Sequence, residues 1–125
     1  MHPNSSGLMA FLSSVILVAS ACAHAPTLVN GTWIGSGVPP GGGFVELEYK
    51  VAGEGDSLAI TVVGEFGELA ANDILLEDKE LRFWFSFGER FECVLKLQED
   101  ESYFGDCVGV SGDVASLRMG PPPQG

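Results

Sequence analysis

Residues 81–107 read LRFWFSFGERFECVLKLQEDESYFGDC, and the alternation in this stretch decides the fold class. Apolar side chains occupy every second position on both sides of a turn at Gly88, and mostly polar or charged side chains lie between them. The apolar set is Leu81, Phe83, Phe85 and Phe87, followed by Phe91, Cys93, Leu95 and Leu97. A period of two residues is typical of antiparallel strands with one buried face. The stretch therefore predicts two strands that cover a core with their odd-numbered residues.

The acidic turn Glu99-Asp100-Glu101 leads into the next strand and sets the register of a second hairpin. A turn centred on Asp100 places Cys93 directly opposite Cys107, and it places Leu95 beside Gly105, where a large side chain fills the space over a glycine. In an oxidising compartment we expect these two cysteines to form a structural disulfide. Two buried free thiols are the alternative.

The same alternation extends along the rest of the chain. It recurs after Gly31-Thr32-Trp33, in 44–51, in 58–62, in 103–111 and in 114–119, with a Pro/Gly loop over 35–43. The stretch 69–77 fits either a bulged strand or an irregular link. Connections of about two to five residues leave no room for crossover helices, so neighbours in sequence are expected to pair in the sheet. We predict an all-β, antiparallel up-and-down meander of about eight strands, folded as a small barrel or a two-layer sandwich.

Length and charge limit the number of domains and the class of partner. A chain of 125 residues accommodates one globular domain. Six Lys and Arg stand against 17 Asp and Glu, which gives a net charge of −11. A nucleic-acid-binding surface needs the opposite sign, so nucleic acid is not an expected partner.

The N-terminal residues differ from the rest of the chain. Leu8 to Ala23 carry no charge, and the first charged side chain is Glu46. This apolar run is shorter than the roughly 20 residues of a membrane-spanning helix and ends in small residues, as secretory signal peptides do. A buried helix of the mature fold is the alternative. We predict a signal peptide over 1–21, a linker over 22–30, the β-barrel domain over 31–119 and a disordered Pro-rich tail over 120–125.

The end of the leader, Val18-Ala19-Ser20-Ala21-Cys22, resembles the lipobox of bacterial lipoproteins. The resemblance implies cleavage before Cys22 and lipidation of its thiol, which would attach the protein to a membrane. In that family an Asp after the cysteine retains the protein at the inner membrane. Ala23 follows here, so the resemblance implies an outer-membrane, periplasmic location. Ordinary cleavage after Ala21 or Ala23 would instead give a soluble exported protein.

The residue types needed for common catalytic and metal sites are missing from the predicted domain. The only histidine beyond the leader is His24, in the linker, so a Ser-His-Asp or Cys-His site and a His/Cys zinc site are excluded from the domain. The carboxylate groups at Glu46/Glu48 and at 99–101 remain as candidates for catalysis or calcium binding. Glu46 and Glu48 are expected on the solvent-exposed face of a strand, and residues 99–101 at the tip of a hairpin. Both positions favour a role in keeping the domain soluble. No catalytic residue, cofactor or metal is predicted.

Gly31-Thr32-Trp33 resembles the G-x-W signature of lipocalins and related calycin barrels. In that family the tryptophan plugs the closed end of the barrel and an arginine from the last strand packs across it. The resemblance implies that Trp33 and Arg118 form this barrel-closure pair. It also implies a small barrel that is either filled by side chains or holds one small ligand.

The aromatic residues are the candidates for contact with a ligand or partner. They are Tyr49, Phe83, Trp84, Phe85 and Tyr103. Trp84 is on the nominally polar side of its strand, where it could contact a partner, cover the barrel end or join a second core layer. The row of phenylalanines favours a filled interior. We expect an exported, lipid-anchored, non-catalytic envelope β-barrel that binds a small apolar ligand or an envelope protein. The alternatives are a structural accessory lipoprotein with a filled barrel and, third, an enzyme that uses acidic residues.

Overall fold

A computed structural model describes residues 28–123, and these residues form nine strands and one 3-10 turn, Gly55–Ser57. The strands are β1 (Gly31–Val38), β2 (Val45–Ala52), β3 (Ala59–Gly64), β4 (Gly67–Ala70), β5 (Asn72–Glu77), β6 (Glu80–Ser86), β7 (Arg90–Leu97), β8 (Tyr103–Gly109) and β9 (Val114–Gly120). Every pairing between them is antiparallel, and the order in the sheet is β4-β3-β2-β1-β9-β8-β7-β6-β5. The predicted all-β, up-and-down fold is confirmed.

The two edges of this sheet meet at Ala71. Strands β4 and β5 stand at opposite ends of the strand order, yet only Ala71 separates them in the chain. The amide of Ala71 donates to the carbonyl of Ile60 on β3 at 2.9 Å, while β5 pairs with β6. Residues 67–77 therefore act as one bent strand that joins both edges into a nearly closed barrel. Counted as one, β4 and β5 give the predicted eight strands, arranged as the barrel and not as the sandwich.

The bend in this strand is a local break in the register. The pairing of β5 with β6 shifts between Asn72 and Leu75, and Asp73 adopts a positive φ of 49°. The side-chain amide of Asn72 donates to the carbonyl of Ala70 at 3.1 Å and to that of Trp84 at 3.2 Å. It therefore connects β5 both to β4 and to β6. Of the two alternatives for 69–77, the bulged strand is correct.

The interior of the barrel is built from the odd-numbered residues of β6 and β7, as predicted, together with inward residues of the other strands. Its buried apolar members include Trp33, Leu47, Tyr49, Val51, Ile60, Val62, Leu81, Phe83, Phe85, Phe91, Cys93, Leu95, Tyr103, Cys107, Leu117 and Met119. The prediction that Phe87 is buried is wrong, since this side chain is 54% exposed. Strand β6 ends at Ser86, so Phe87 lies in the turn and no longer follows the alternation.

The cysteine register is confirmed. Cys93 and Cys107 are direct partners across β7 and β8 and are joined by a disulfide, with 4.0 Å between their Cα atoms. Leu95 faces Gly105 as predicted, but the glycine has a further reason to be there. A side chain at Gly105 would collide with the backbone carbonyl of Val94, so the close approach of the two strands itself requires glycine.

The two ends of the barrel differ. The closed end carries the connections 53–58, 78–79 and 98–102, and the open end carries 39–44, 65–66, 87–89 and 110–113. Trp33 fills the closed end, where its Nε1 donates to the carbonyl of Val29 at 2.8 Å and its ring lies 6.1 Å from that of Tyr103. Among residues 28–123, no side chain fills the open end in the same way.

The described residues reach beyond the predicted domain boundaries. Leu28, from the predicted linker, is buried in the core. Gly120, assigned to the tail, is the last residue of β9, where it pairs with Ile34. Pro122 then lies against Gly31, 3.4 Å from the place where a Cβ would stand. The predicted signal peptide, the lipidation residue Cys22 and the last two residues lie outside the described range.

Candidate functional site

The open end of the barrel contains a cavity of about 190 Å³. Its walls are formed by the parts of the strands nearest the open end and by the loop that follows β1. The lining residues are Gly37, Val38, Pro39, Pro40, Val45, Leu47, Val62, Phe66, Leu69, Phe85, Phe87, Phe91, Ala115, Ser116 and Leu117. Ser116 is the one member of this set with a polar side chain, and none of the set can ionise. The cavity is therefore an apolar chamber.

Side chains of the core form the floor of the cavity. The rings of Phe85 and Phe91 stack at 5.5 Å between centroids with an interplanar angle of 19°, and both are buried. Leu47, Val62 and Leu117 are also buried. Close packing holds these groups in fixed positions, so the floor is preformed.

The rim, in contrast, leaves apolar side chains in water. Phe87 is 54% exposed and Phe66 is 42% exposed, although both line the cavity. They come from the turns on either side of the bent strand and approach to 5.4 Å between ring centroids, at an angle of 55°. This pair shields the cavity on the side where the barrel is closed by β4 and β5.

The size of the cavity limits what it can hold. An engineered apolar cavity of about 150 Å³ admits benzene, whereas sites for drug-sized ligands measure roughly 300–1,000 Å³. At about 190 Å³, the chamber has room for a single ring or a short alkyl chain. A larger molecule could place only one of its ends inside.

The predicted contact residues lie at different distances from the open end of the barrel. Phe85 lines the cavity, but Phe83, Tyr49 and Tyr103 are buried elsewhere in the core. The hydroxyl of Tyr49 donates to the carbonyl of Ser36 at 3.2 Å, and burial raises the pKa of its phenol. Burial, and secondarily the negative charge of Asp78, raises the pKa of Tyr103. These three residues support the fold and do not meet the cavity.

Trp84 lies on the outer wall, half-buried, beside the bent strand. Its Nε1 donates to Oδ2 of Asp73 at 2.7 Å, and the guanidinium of Arg90 lies 4.0 Å from its ring centroid. These contacts tie β6 to the bulge in β5 and to the start of β7. The side chain neither covers the barrel end nor enters the interior.

The barrel-closure pair is not formed. Trp33 fills the closed end, but Arg118 is on the outer wall, because Leu117 and Met119 are the inward-facing residues of β9. The Arg118 guanidinium lies 4.6 Å from the ring centroid of Phe104, and its Nη1 donates to Oγ of Ser102 at 3.1 Å. The prediction that it packs across Trp33 is wrong, since the strand's alternation turns it outward.

The acidic candidates do not converge. Glu46 and Glu48 are exposed on the outer wall of β2. At the closed end, Oδ1 of Asp100 accepts hydrogen bonds from Oγ of Ser102 at 2.6 Å and from its amide at 3.0 Å. These bonds, aided by the charge of Arg118, lower the pKa of the Asp100 carboxyl. Within residues 28–123, no three His, Cys, Asp or Glu side chains lie close enough to share a metal ion.

Several residues of the cavity were missed from the sequence, most clearly Phe66 and Ala115. A signal for Phe66 was available, since it lies in the turn Gly64-Glu65-Phe66-Gly67, where a large apolar residue is unusual. Ala115 gave no such signal, because a small residue in a strand does not show whether the space beside it is filled.

Comparison with known proteins supports the fold alone. No protein-family model matches this chain, and no curated protein matches it. A solved structure described as a redesigned beta barrel is similar, with a TM-score of 0.59 and 10% sequence identity, over 75% of this chain and 91% of that chain. The likeness shows that this chain adopts a small β-barrel fold.

Proposed function

We propose that this protein is an exported, lipid-anchored, non-catalytic β-barrel of the cell envelope that binds a small apolar ligand at its open end. The apolar cavity carries the proposal: about 190 Å³ is left unfilled above a closely packed core, behind a rim of exposed phenylalanines. Transfer of an apolar group from water into such a chamber is favourable, and each buried methylene contributes about 0.8 kcal/mol.

The surface around the cavity also favours binding over a purely structural role. Phe44 is 70% exposed and Val110 is 79% exposed, and both lie in connections at the open end. Exposed apolar groups concentrated around a concave site are typical of binding surfaces. A structural accessory protein is expected to have a filled interior and a charged surface at both ends.

Binding by the cavity alone is expected to be weak. Association costs at least about 4 kcal/mol in lost translational and rotational freedom, and the chamber holds few ligand atoms. A dissociation constant on the order of 0.1–1 mM is expected for a ligand that fills only the chamber. A longer ligand that also covers the rim would bind more tightly.

A cavity-filling substitution tests this function. Ala115→Leu places three more carbon atoms in the chamber, so it should weaken binding of 1-octanol at least fivefold in a calorimetric titration. Ala59→Leu is the matched control, because Ala59 is exposed at the closed end of the barrel. Equal affinities of the two variants, or no binding of 1-octanol by the unaltered protein, would reject the proposal and favour the structural role.

Export and lipidation are supported by the sequence alone. The uncharged run from Leu8 to Ala23 and the lipobox-like residues before Cys22 are the basis for both. Within the described residues, no helix has the length and apolar character to cross a membrane. Mass spectrometry of the protein from an exporting bacterial host should show a diacyl or triacyl mass on Cys22. Cys22→Ser should abolish that mass, and an unacylated mature chain would point to a soluble exported protein.

A further inference from the structure

We infer that the ligand of the open end is a cationic amphiphile, with an apolar tail in the cavity and an ammonium group at the rim. This inference rests on the proposed function and specifies its ligand. The charges around the open end carry it. Glu65 is adjacent in sequence to the lining residue Phe66, and Glu89 and Asp113 lie in the other two turns at that end.

Among residues 28–123, the guanidinium of Arg90 is the one positive side chain at this end, and it contacts groups on the outer wall. Its Nε lies 3.4 Å from Oε2 of Glu92, and its guanidinium covers the ring of Trp84 on the outer wall. Both partners lie on the outer wall, away from the lining of the cavity. The guanidinium of Arg90 is therefore directed toward the outer wall and not toward the cavity.

The other five Lys and Arg residues lie lower on the wall or at the closed end. Lys50 is engaged by Glu68, with 3.8 Å between Nζ and Oε2, and Arg82 by Glu80, with 2.7 Å between Nε and Oε2. Lys79, Lys96 and Arg118 belong to the closed half of the barrel. The open end consequently has an excess of negative charge, and this favours a positive head group and disfavours a carboxylate or phosphate.

One rim carboxylate is held in place by the fold. Oε1 of Glu89 accepts from the amide of Ser111 at 2.7 Å, and Oε2 accepts from its hydroxyl at 2.8 Å. These bonds join the turn before β7 to the turn before β9, so the charge is fixed at the rim. The exposed rings of Phe66 and Phe87 provide a second attraction, because aromatic faces attract quaternary ammonium groups.

Three probes with the same eight-carbon tail test the inference: octyltrimethylammonium, 1-octanol and nonanoate. Calorimetric titration of the full barrel at about 0.01 M salt should show the ammonium probe binding roughly fivefold more tightly than 1-octanol, with nonanoate the weakest. The difference between the probes should shrink at about 1 M salt, where the screening length falls to about 3 Å and the attraction of the rim carboxylates is screened.

A charge-removing substitution checks that the rim is responsible. Glu65→Gln should reduce the preference for the ammonium probe over 1-octanol about twofold, read as the ratio of the two dissociation constants. Glu77→Gln, at the far end of β5, should leave this ratio unchanged. Equal binding of the three probes, or tightest binding of nonanoate, would overturn the inference while the proposed function stands. Binding of none would overturn both.

Discussion

Ser102 is a single residue that links two charged groups at the closed end. It donates two hydrogen bonds to Asp100 and accepts one from Arg118. Because these bonds favour the carboxylate, the folded protein holds the pKa of Asp100 below its ordinary value of 3.8. Asp100 therefore stabilises the fold at neutral pH, and this contribution is lost as the pH falls through the lowered pKa.

Removing the serine hydroxyl tests this account. Ser102→Ala should raise the pKa of Asp100 toward its ordinary value, since the strongest of the hydrogen bonds to the carboxylate is lost. Carboxyl chemical shifts followed by NMR during an acid titration measure the change. Ser57→Ala, at another exposed turn of the same end, should leave the Asp100 titration as it is. An unchanged Asp100 pKa in Ser102→Ala would contradict the assignment.

At the residue scale, the sequence predicted well whether a side chain faces the interior or the solvent. It predicted less well how far that side chain lies from the open end of the barrel. Period-two alternation placed Tyr49, Phe83 and Phe85 inside, and all three are buried. Alternation carries no information about the end of the barrel that remains unfilled, so it could not show that Phe85 alone meets the cavity. The outward direction of Arg118 was readable from the same alternation, but the family resemblance favoured the opposite interpretation.

At the scale of elements, Asn72 ties the bend between β4 and β5. Its side-chain Nδ2 donates to the carbonyl of Ala70 on β4 and to the carbonyl of Trp84 on β6. Asn72→Ala should lower the free energy of unfolding by about 1–2 kcal/mol, because two hydrogen bonds are lost. Chemical denaturation measures this cost. Gln98→Ala is the control, because it removes one exposed hydrogen bond from a side-chain amide to a backbone carbonyl, and it should lower the free energy of unfolding by less. An equal or larger decrease in Gln98→Ala would argue against a special role for the bend.

The disulfide is the second element-scale feature with a measurable effect. It closes a loop with a sequence separation of 14 between β7 and β8. Reduction should lower the free energy of unfolding by about 2–3 kcal/mol, because the unfolded chain regains conformational freedom. A urea titration with and without reductant measures the difference. The urea midpoint of the double variant Cys93→Ala/Cys107→Ala should be the same with and without reductant. If the midpoint of the unaltered protein is also unchanged by reductant, the disulfide adds no stability.

The elements that the sequence predicted well are those governed by local alternation. Strands β6, β7 and β8 follow from the pattern of 81–107 and from the turn at Asp100. The stretch 69–77 could not be decided, because its bend depends on two different partners, β3 before Ala71 and β6 after it. Pairing between distant strands is a tertiary property, and Ala70-Ala71-Asn72 has no side-chain pattern that encodes it.

At the scale of the whole molecule, the barrel is asymmetric along its axis. Trp33 and Tyr103 fill one end, whereas exposed phenylalanines surround a cavity at the other. The predicted filled interior is therefore right for the closed half and wrong for the open end. Composition could not reveal this division, because the same apolar residues serve both halves.

The rim contributes to binding if the whole open end acts as one site. Phe87→Ala should weaken binding of 1-octanol about two- to fivefold, since it removes an apolar wall and uncovers the chamber to water. Phe104→Ala is the matched control, because Phe104 is a similarly exposed phenylalanine on the outer wall. If both variants lose affinity equally, the octanol binds to the outside of the barrel.

The most direct test of the central claim is an NMR titration of the barrel with 1-octanol, read at the methyl groups. The account predicts saturable shifts at Leu47, Leu69 and Leu117, which line the cavity, and none at Leu28 or Met119 near the closed end. Shifts confined to the closed end or spread evenly over the surface, or no shifts up to the solubility limit of octanol, would contradict the claim that the open end is a binding site.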